Sequence, residues 1–286
     1  MVSGAGLKYS GALALALVTV LFFAGAAHAS YVTITEPYNA TITHFNGSIY
    51  LGKAGPGQTF IVTIRSATTN ATGAHLDYGW NQFNASDVPA GWVVKNSPLY
   101  RQTLSVEVTP AADAPTGMYI FKLTAINVGN YSKIGSVSFT AYVNVTPDVF
   151  HLHVSPASVA SGVGSPSNIY ITINNTGVSD SPFVINVTGL PAWSVPPQDV
   201  IALHHTSATF AYPIYQYTPG VYKAVVHVSS LESPLVEKSA NVTLTVRAGL
   251  ASDYASIGEG SVMFPIIYEP AYAIMYLLSL LFGSAK

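Results

Sequence analysis

The sequence contains no cysteine. Small exported domains with thin cores lean on disulfides, so whatever fold forms here stands on packing alone. Charge is scarce as well. Only 8% of residues are Asp, Glu, Lys or Arg, against about 25% in ordinary soluble domains. The formal net charge is −2. No basic face is available to neutralise phosphates, so nucleic acid is not an expected partner. A surface this poor in charge must be covered by Ser, Thr, Asn, Gln and Tyr. Helical periodicity is missing between residues 30 and 248. Also missing are Glu-x-x-His, Gly-x-Ser-x-Gly, Asp-x-Asp-x-Asp-Gly and phosphate-cradling Gly motifs. The 13 carboxylates are scattered singly. A carboxylate pair assembled in space needs no local motif, but short-turned β domains offer no obvious pocket. The expectation is a non-enzymatic chain with no catalytic residue and no cofactor.

What the sequence has instead is short β-branched and aromatic runs punctuated by Gly, Pro, Asn and Ser. In the first half they are residues 31–35, 59–66, 76–83, 92–94, 103–109, 118–127 and 135–145. In the second half they are 150–154, 169–174, 183–187, 206–217, 221–228 and 241–246. That density of strands reads as an all-β chain of two tandem immunoglobulin-like sandwiches. The join falls near Thr146-Pro147-Asp148. A linker so short predicts limited hinge freedom and an elongated shape.

One phrase occurs twice. Pro89-Ala-Gly-Trp92 leads into a strand, then Thr109-Pro110, then Pro115-Thr-Gly117-Met-Tyr119. About a hundred residues later, Pro191-Ala-Trp193 leads into a strand, then Thr218-Pro219-Gly220-Val-Tyr222. This order resembles the NEW3-type and related Ig-like repeats of archaeal and bacterial envelope proteins, which also occur beside some glycosidase catalytic domains. The resemblance covers residues 55–147 and 160–248. It implies a sandwich with a spacer, adhesive or accessory role, and supplies no catalytic residues. The chain departs from the pattern at His204-His205-Thr206, where a Gly-rich turn is expected.

The ends predict a compartment. Lys8, an apolar run from Ala12 to Ala24 and Ala27-His28-Ala29 read as a signal peptide over 1–29, with the mature chain starting at Ser30. Residues 262–283 carry one charge, Glu269, and are long enough to span a bilayer, although Pro265 and Pro270 interrupt a helix. The predicted organisation is therefore 1–29 signal peptide, 30–147 first sandwich, 148–248 second sandwich, 249–260 flexible stalk and 261–286 membrane anchor. A segment lying on the bilayer or docking onto another subunit is the alternative for the tail.

Nine Asn-X-Ser/Thr triplets are present, at Asn39, Asn46, Asn70, Asn84, Asn130, Asn144, Asn174, Asn186 and Asn241. In Val143-Asn-Val-Thr146 and Asn241-Val-Thr-Leu244 the strand period puts Asn and Thr outside and the aliphatics inside. These positions are the expected N-glycan sites. Trp92, Trp193 and Trp80 are expected in the core. Trp80 would share a strand face with Leu76 and Tyr78, opposite Asp77 and Asn81. His151 and His153 share one face of a strand and His204-His205 are adjacent, but no third ligand accompanies either pair, so no metal site is expected. The sequence thus reads as a glycosylated, membrane-anchored protein at the cell surface. Its expected role is spacer, adhesin or surface-layer-associated component, with envelope proteins or glycans as partners and its oligomeric state open. The alternatives are an accessory carbohydrate- or protein-binding module, or a filament subunit assembled through strand edges.

Overall fold

The computed structural model describes residues 30–248, except 44–45, 71, 130–133 and 191–196. The predicted signal peptide, stalk and tail, the sequon at Asn130 and the repeat residue Trp193 lie outside the described residues. Every regular element among the described residues is a strand. No helix among them is long and apolar enough to cross a membrane. The chain divides into two compact units between Thr146 and Pro147.

The first unit holds β1 (Val32–Glu36), β2 (Ala40–Ile42), β3 (Ser48–Ala54), β4 (Phe60–Arg65), β5 (Thr68–Thr69) and β6 (His75–Leu76). It continues with β7 (Gln82–Ser86), β8 (Val93–Lys95), β9 (Thr103–Thr109), β10 (Gly117–Ile126) and β11 (Ser136–Val145). One sheet runs β2-β1-β4-β9-β8 and the other β3-β11-β10-β7, with β5-β6 a separate small hairpin. Alternation drives the packing. In β9 Leu104, Val106 and Val108 are buried, while Thr103, Ser105, Glu107 and Thr109 point outward. The sheets meet through rings: Phe60 of β4 lies 6.3 Å from Phe121 of β10.

The second unit holds β12 (Phe150–Ser155), β13 (Ser158–Gly162), β14 (Ser167–Asn175), β15 (Ser181–Thr188), β16 (Gln198–Ala202), β17 (Ser207–Ile214), β18 (Gly220–Ser230) and β19 (Glu237–Arg247). Its sheets are β12-β14-β17 and β13-β19-β18-β15-β16. Phe150 and Phe183 span them at 4.9 Å, within a core that includes Ile169, Ile171, Ile173, Tyr212 and Val226.

The two units share a plan, but the first adds β2 and the β5-β6 hairpin, and one strand changes sheet between them. In both, an early strand runs parallel to the last one, β3 to β11 and β13 to β19. In both, a tyrosine at the start of the penultimate strand ties back to the preceding turn. The Tyr119 hydroxyl donates to the Pro115 carbonyl and the Tyr222 hydroxyl to the Thr218 carbonyl, each at 2.9 Å. This is the tyrosine corner of Greek-key sandwiches, and it accounts for the repeated Gly-x-Tyr. The change of sheet falls where the chain goes after β7 or β15. In the first unit β8 pairs with β9. In the second, β16 turns back onto β15 and stays in the other sheet.

Two expectations about faces are corrected. The run 76–83 is not one strand: β6 ends at Leu76, and residues 77–81 form a turn before β7. Tyr78 is 63% exposed and Asn81 only 6%. Asn81 is drawn inside because its side chain donates to the Val128 carbonyl and accepts from the Val128 amide. Thr146, expected outside, is buried where β11 ends, with its amide bonded to the Ala54 carbonyl.

Candidate functional site: the loop end of the first unit

Residues far apart in sequence meet at the end of the first unit where β1 begins. β4 ends there at Arg65, opposite Thr103 at the start of β9. β10 ends there at Ile126, opposite Gln82 at the start of β7. The described residues of three connections therefore gather: 66–81 without 71, 96–102, and 127–129 with 134–135. The first is long and built. Thr68 Oγ1 and Trp80 Nε1 both donate to the Tyr31 carbonyl, at 2.8 and 3.1 Å. Trp80 is fully buried at the base, so its core placement is as expected. The Trp80 amide bonds to the Ser66 carbonyl. The side-chain amide of Asn127 donates to the Gly79 carbonyl. Gly79 is required by space: a Cβ there would stand 2.1 Å from Thr68 Cγ2. The corresponding connection of the second unit, 176–180, is a short turn between β14 and β15.

On this base sits a shallow cleft of about 400 Å³, lined by Arg65, Ser66, Ala67, Asp77, Tyr78, Gln102 and Thr103. Gln102 Nε2 donates to the Tyr78 hydroxyl at 3.1 Å, bridging two of the connections. Ser66 Oγ donates to the Asp77 carbonyl. Two residues before the lining residue Gln102, Tyr100 is 65% exposed with φ 60°, a left-handed conformation that is an outlier for a bulky residue. Its amide is held by the Asn81 carbonyl at 3.0 Å. Arg65 and Arg101 are both exposed. Sequence reading missed this cluster because its parts are separated by tens of residues. The one local sign was Leu99-Tyr100-Arg101, a run of large side chains inside an otherwise turn-like stretch.

The predicted glycan positions distribute simply. Asn84, Asn144, Asn174, Asn186 and Asn241 lie on strands, each beside at least one buried residue: Phe83, Val143 and Val145, Ile173 and Asn175, Ile185 and Val187, and Val242. Asn39, Asn46 and Asn70 lie in connections. Of these eight, Asn39, Asn46, Asn174, Asn186 and Asn241 are exposed, and Asn70, Asn84 and Asn144 are half-buried. Asn84 Oδ1 is buried without a partner. Asn186 and Asn241 share one sheet face. Asn186 stands opposite His227, and Asn241 opposite Val225 one row away.

Trp92 is buried against Tyr119 and Phe121, at ring separations of 5.3 and 6.3 Å. It plugs the core beneath the tyrosine corner. His151 and His153 are exposed on β12. His204 and His205 form a turn in place of the Gly-rich one. His205 takes φ 53°, and the His204 amide and Nδ1 both approach Asp180 Oδ1 at 2.7 Å. Burial and the neighbouring His204 hold the His205 pKa below its ordinary value. Among the described residues no three His, Asp or Glu side chains are grouped to hold a metal.

No known family and no curated protein matches the chain. Solved structures do resemble it. The fibronectin(III)-like modules of Clostridium thermocellum CbhA share 14% identity over 76% of this chain and 94% of that one, with a TM-score of 0.26. A chimeric titin Z1Z2 carrying an exogenous decorin peptide shares 11% over 77% and 99%, at 0.36. The titin z1z2 domains in complex with telethonin share 12% over 77% and 98%, at 0.24. With superposition scores this low, the class rests on the sheet topology described above. That topology makes the chain an all-β protein of immunoglobulin- and fibronectin III-like sandwich units.

Proposed function

We propose that the chain is a non-enzymatic, N-glycosylated surface protein of NEW3-type repeats from an archaeal or bacterial envelope. It is exported through residues 1–29 and anchored in the cytoplasmic membrane by 261–286, and it acts as a spacer, adhesin or surface-layer-associated component. The observation that carries this is the placement of the strand-borne sequons. Asn144, Asn174, Asn186 and Asn241 alternate with buried neighbours, and Asn174, Asn186 and Asn241 are exposed. A chain with 8% charged residues needs another source of solubility, and glycans on outward faces supply it. Glycopeptide mapping of the native protein tests the reading. Modification at Asn39, Asn46, Asn174, Asn186 and Asn241 is expected, together with membrane partition that resists carbonate washing. Unmodified peptides at most of these positions, or release of the protein by salt alone, would sink it. A second reading, a binding module, is favoured by one observation: the built cleft at the loop end of the first unit.

A further inference from the structure

We infer that the loop-end cleft of the first unit binds an acidic carbohydrate, with Arg65 and Arg101 meeting its carboxylates or sulfates and Tyr78 and Tyr100 packing on its sugar rings. Four observations converge on this. First, the sandwich does not need the excursion over 66–81. The second unit closes the same connection with residues 176–180, yet the first fixes its excursion with a buried Trp80 and bonds to Tyr31. Second, two of the three arginines of the whole sequence belong to this end: Arg65 lines the cleft and Arg101 adjoins its lining residue Gln102 in the chain. Both are exposed, and neither guanidinium has a hydrogen-bond or ion-pair partner among the described residues. A guanidinium fork matches a carboxylate or sulfate in two hydrogen bonds. Third, Tyr78 and Tyr100, at 63% and 65% exposure, are rigid amphipathic surfaces of the kind used in recognition loops. Tyr100 is held at its unfavourable φ by the Asn81 carbonyl, and such strain collects at binding sites. Fourth, the cleft mixes hydrogen-bonding groups with apolar surface: Ser66, Asp77, Gln102 and Thr103 join Arg65 and Tyr78, with Ala67 beside them. A peptide side chain seeks an apolar pocket. A pyranose offers hydroxyls to amide, hydroxyl and carboxylate partners, and an apolar ring face to tyrosine. Asp77, paired at 3.6 Å with His75, serves as an acceptor for sugar hydroxyls. The cleft also lies at the end of the first unit opposite the one from which β11 leaves, since Ser136 pairs with Ile126 and Val145 with Gly117.

The assignment rests on the surface-display reading only in supposing that the chain meets envelope glycans, and its test is independent of export and glycosylation. Unglycosylated protein of the full mature sequence is titrated calorimetrically with oligogalacturonate, dextran sulfate, neutral dextran and poly-glutamate. Saturable binding of oligogalacturonate or dextran sulfate is expected, and whichever binds identifies carboxylate or sulfate as the anionic group. Arg65→Ala, Arg101→Ala and Tyr78→Ala are each expected to weaken that binding roughly tenfold or more, the loss of one charge-assisted or stacking contact. Lys223→Ala, in the second unit, is expected to leave it unchanged. Unfolding curves that match the parent separate a lost contact from a lost fold. Binding of neither acidic polymer, equal binding of neutral dextran or poly-glutamate, or indifference to the three cleft substitutions in folded protein would overturn the assignment.

Discussion

Tyrosine is the residue on which both sandwiches turn. Each corner tyrosine makes one backbone hydrogen bond across its own turn, and Tyr119 also caps Trp92. Tyr119→Phe and Tyr222→Phe keep the ring and remove the bond. Each is expected to lower the stability of its unit by about 0.5–1.5 kcal/mol, read from urea midpoints. Trp80→Ala removes a fully buried ring and is expected to cost about 3–5 kcal/mol. Tyr212 differs in being 1% exposed, and burial pushes its pKa from 10.0 up to about 12. The unfolded chain therefore ionises this hydroxyl first. The stability it confers is fully present below pH 10 and is lost as pH climbs towards 12. The size of the loss is on the order of 2–3 kcal/mol. Urea unfolding at stepped alkaline pH should show the decline in the parent and a shallower one in Tyr212→Phe.

At the level of elements, the sequence revealed strands wherever alternation was clean. The expected run 103–109 coincides with β9, and 135–145 with β11 to within a residue. Strand β3 was missed because Gly52, at φ 130°, and Lys53 interrupt its pattern, and its pairing with β11 shifts register between Tyr142 and Val143. The short edge strands β2, β13 and β16 carry too few alternating residues to announce themselves. The run 76–83 misled for the opposite reason. Its tyrosine and tryptophan alternate like a strand, but of the two Trp80 goes inward and Tyr78 does not, and Asn81 follows Trp80 inside, because Asn81 and Gly79 lock the turn from both sides. Turns of this kind can be probed by adding one methyl group. Gly189 has φ +84°, and a Cβ there would lie 2.3 Å from the Lys223 carbonyl oxygen. Gly135 has φ +71° with nothing within 4 Å. Gly135→Ala is expected to cost about 1–2 kcal/mol, the left-handed backbone alone. Gly189→Ala is expected to cost at least about 1 kcal/mol more, because backbone must move. Thermal unfolding of the two variants side by side checks the difference.

Across the whole molecule, what could be read locally was read and what had to be assembled was not. The repeated Trp and Gly-x-Tyr phrases marked two units, and the period-2 alternation placed Asn186 and Asn241 outward, as found. The cleft was invisible because Arg65 ends β4 while Tyr78 and Gln102 belong to two different connections, and only the sheet register brings them together. One further property follows from that register. In each unit the last strand lies parallel to an early one, β11 beside β3 and β19 beside β13. Tension drawn along the final strand is resisted by a whole row of hydrogen bonds lying across the direction of pull. Parallel neighbours dragged past each other load that row together as a shear, whereas a hairpin pulled from its open end gives way bond by bond. Held by its two ends and stretched, the chain should resist and then yield in two abrupt ruptures, one for each unit, each acting as a mechanical fuse.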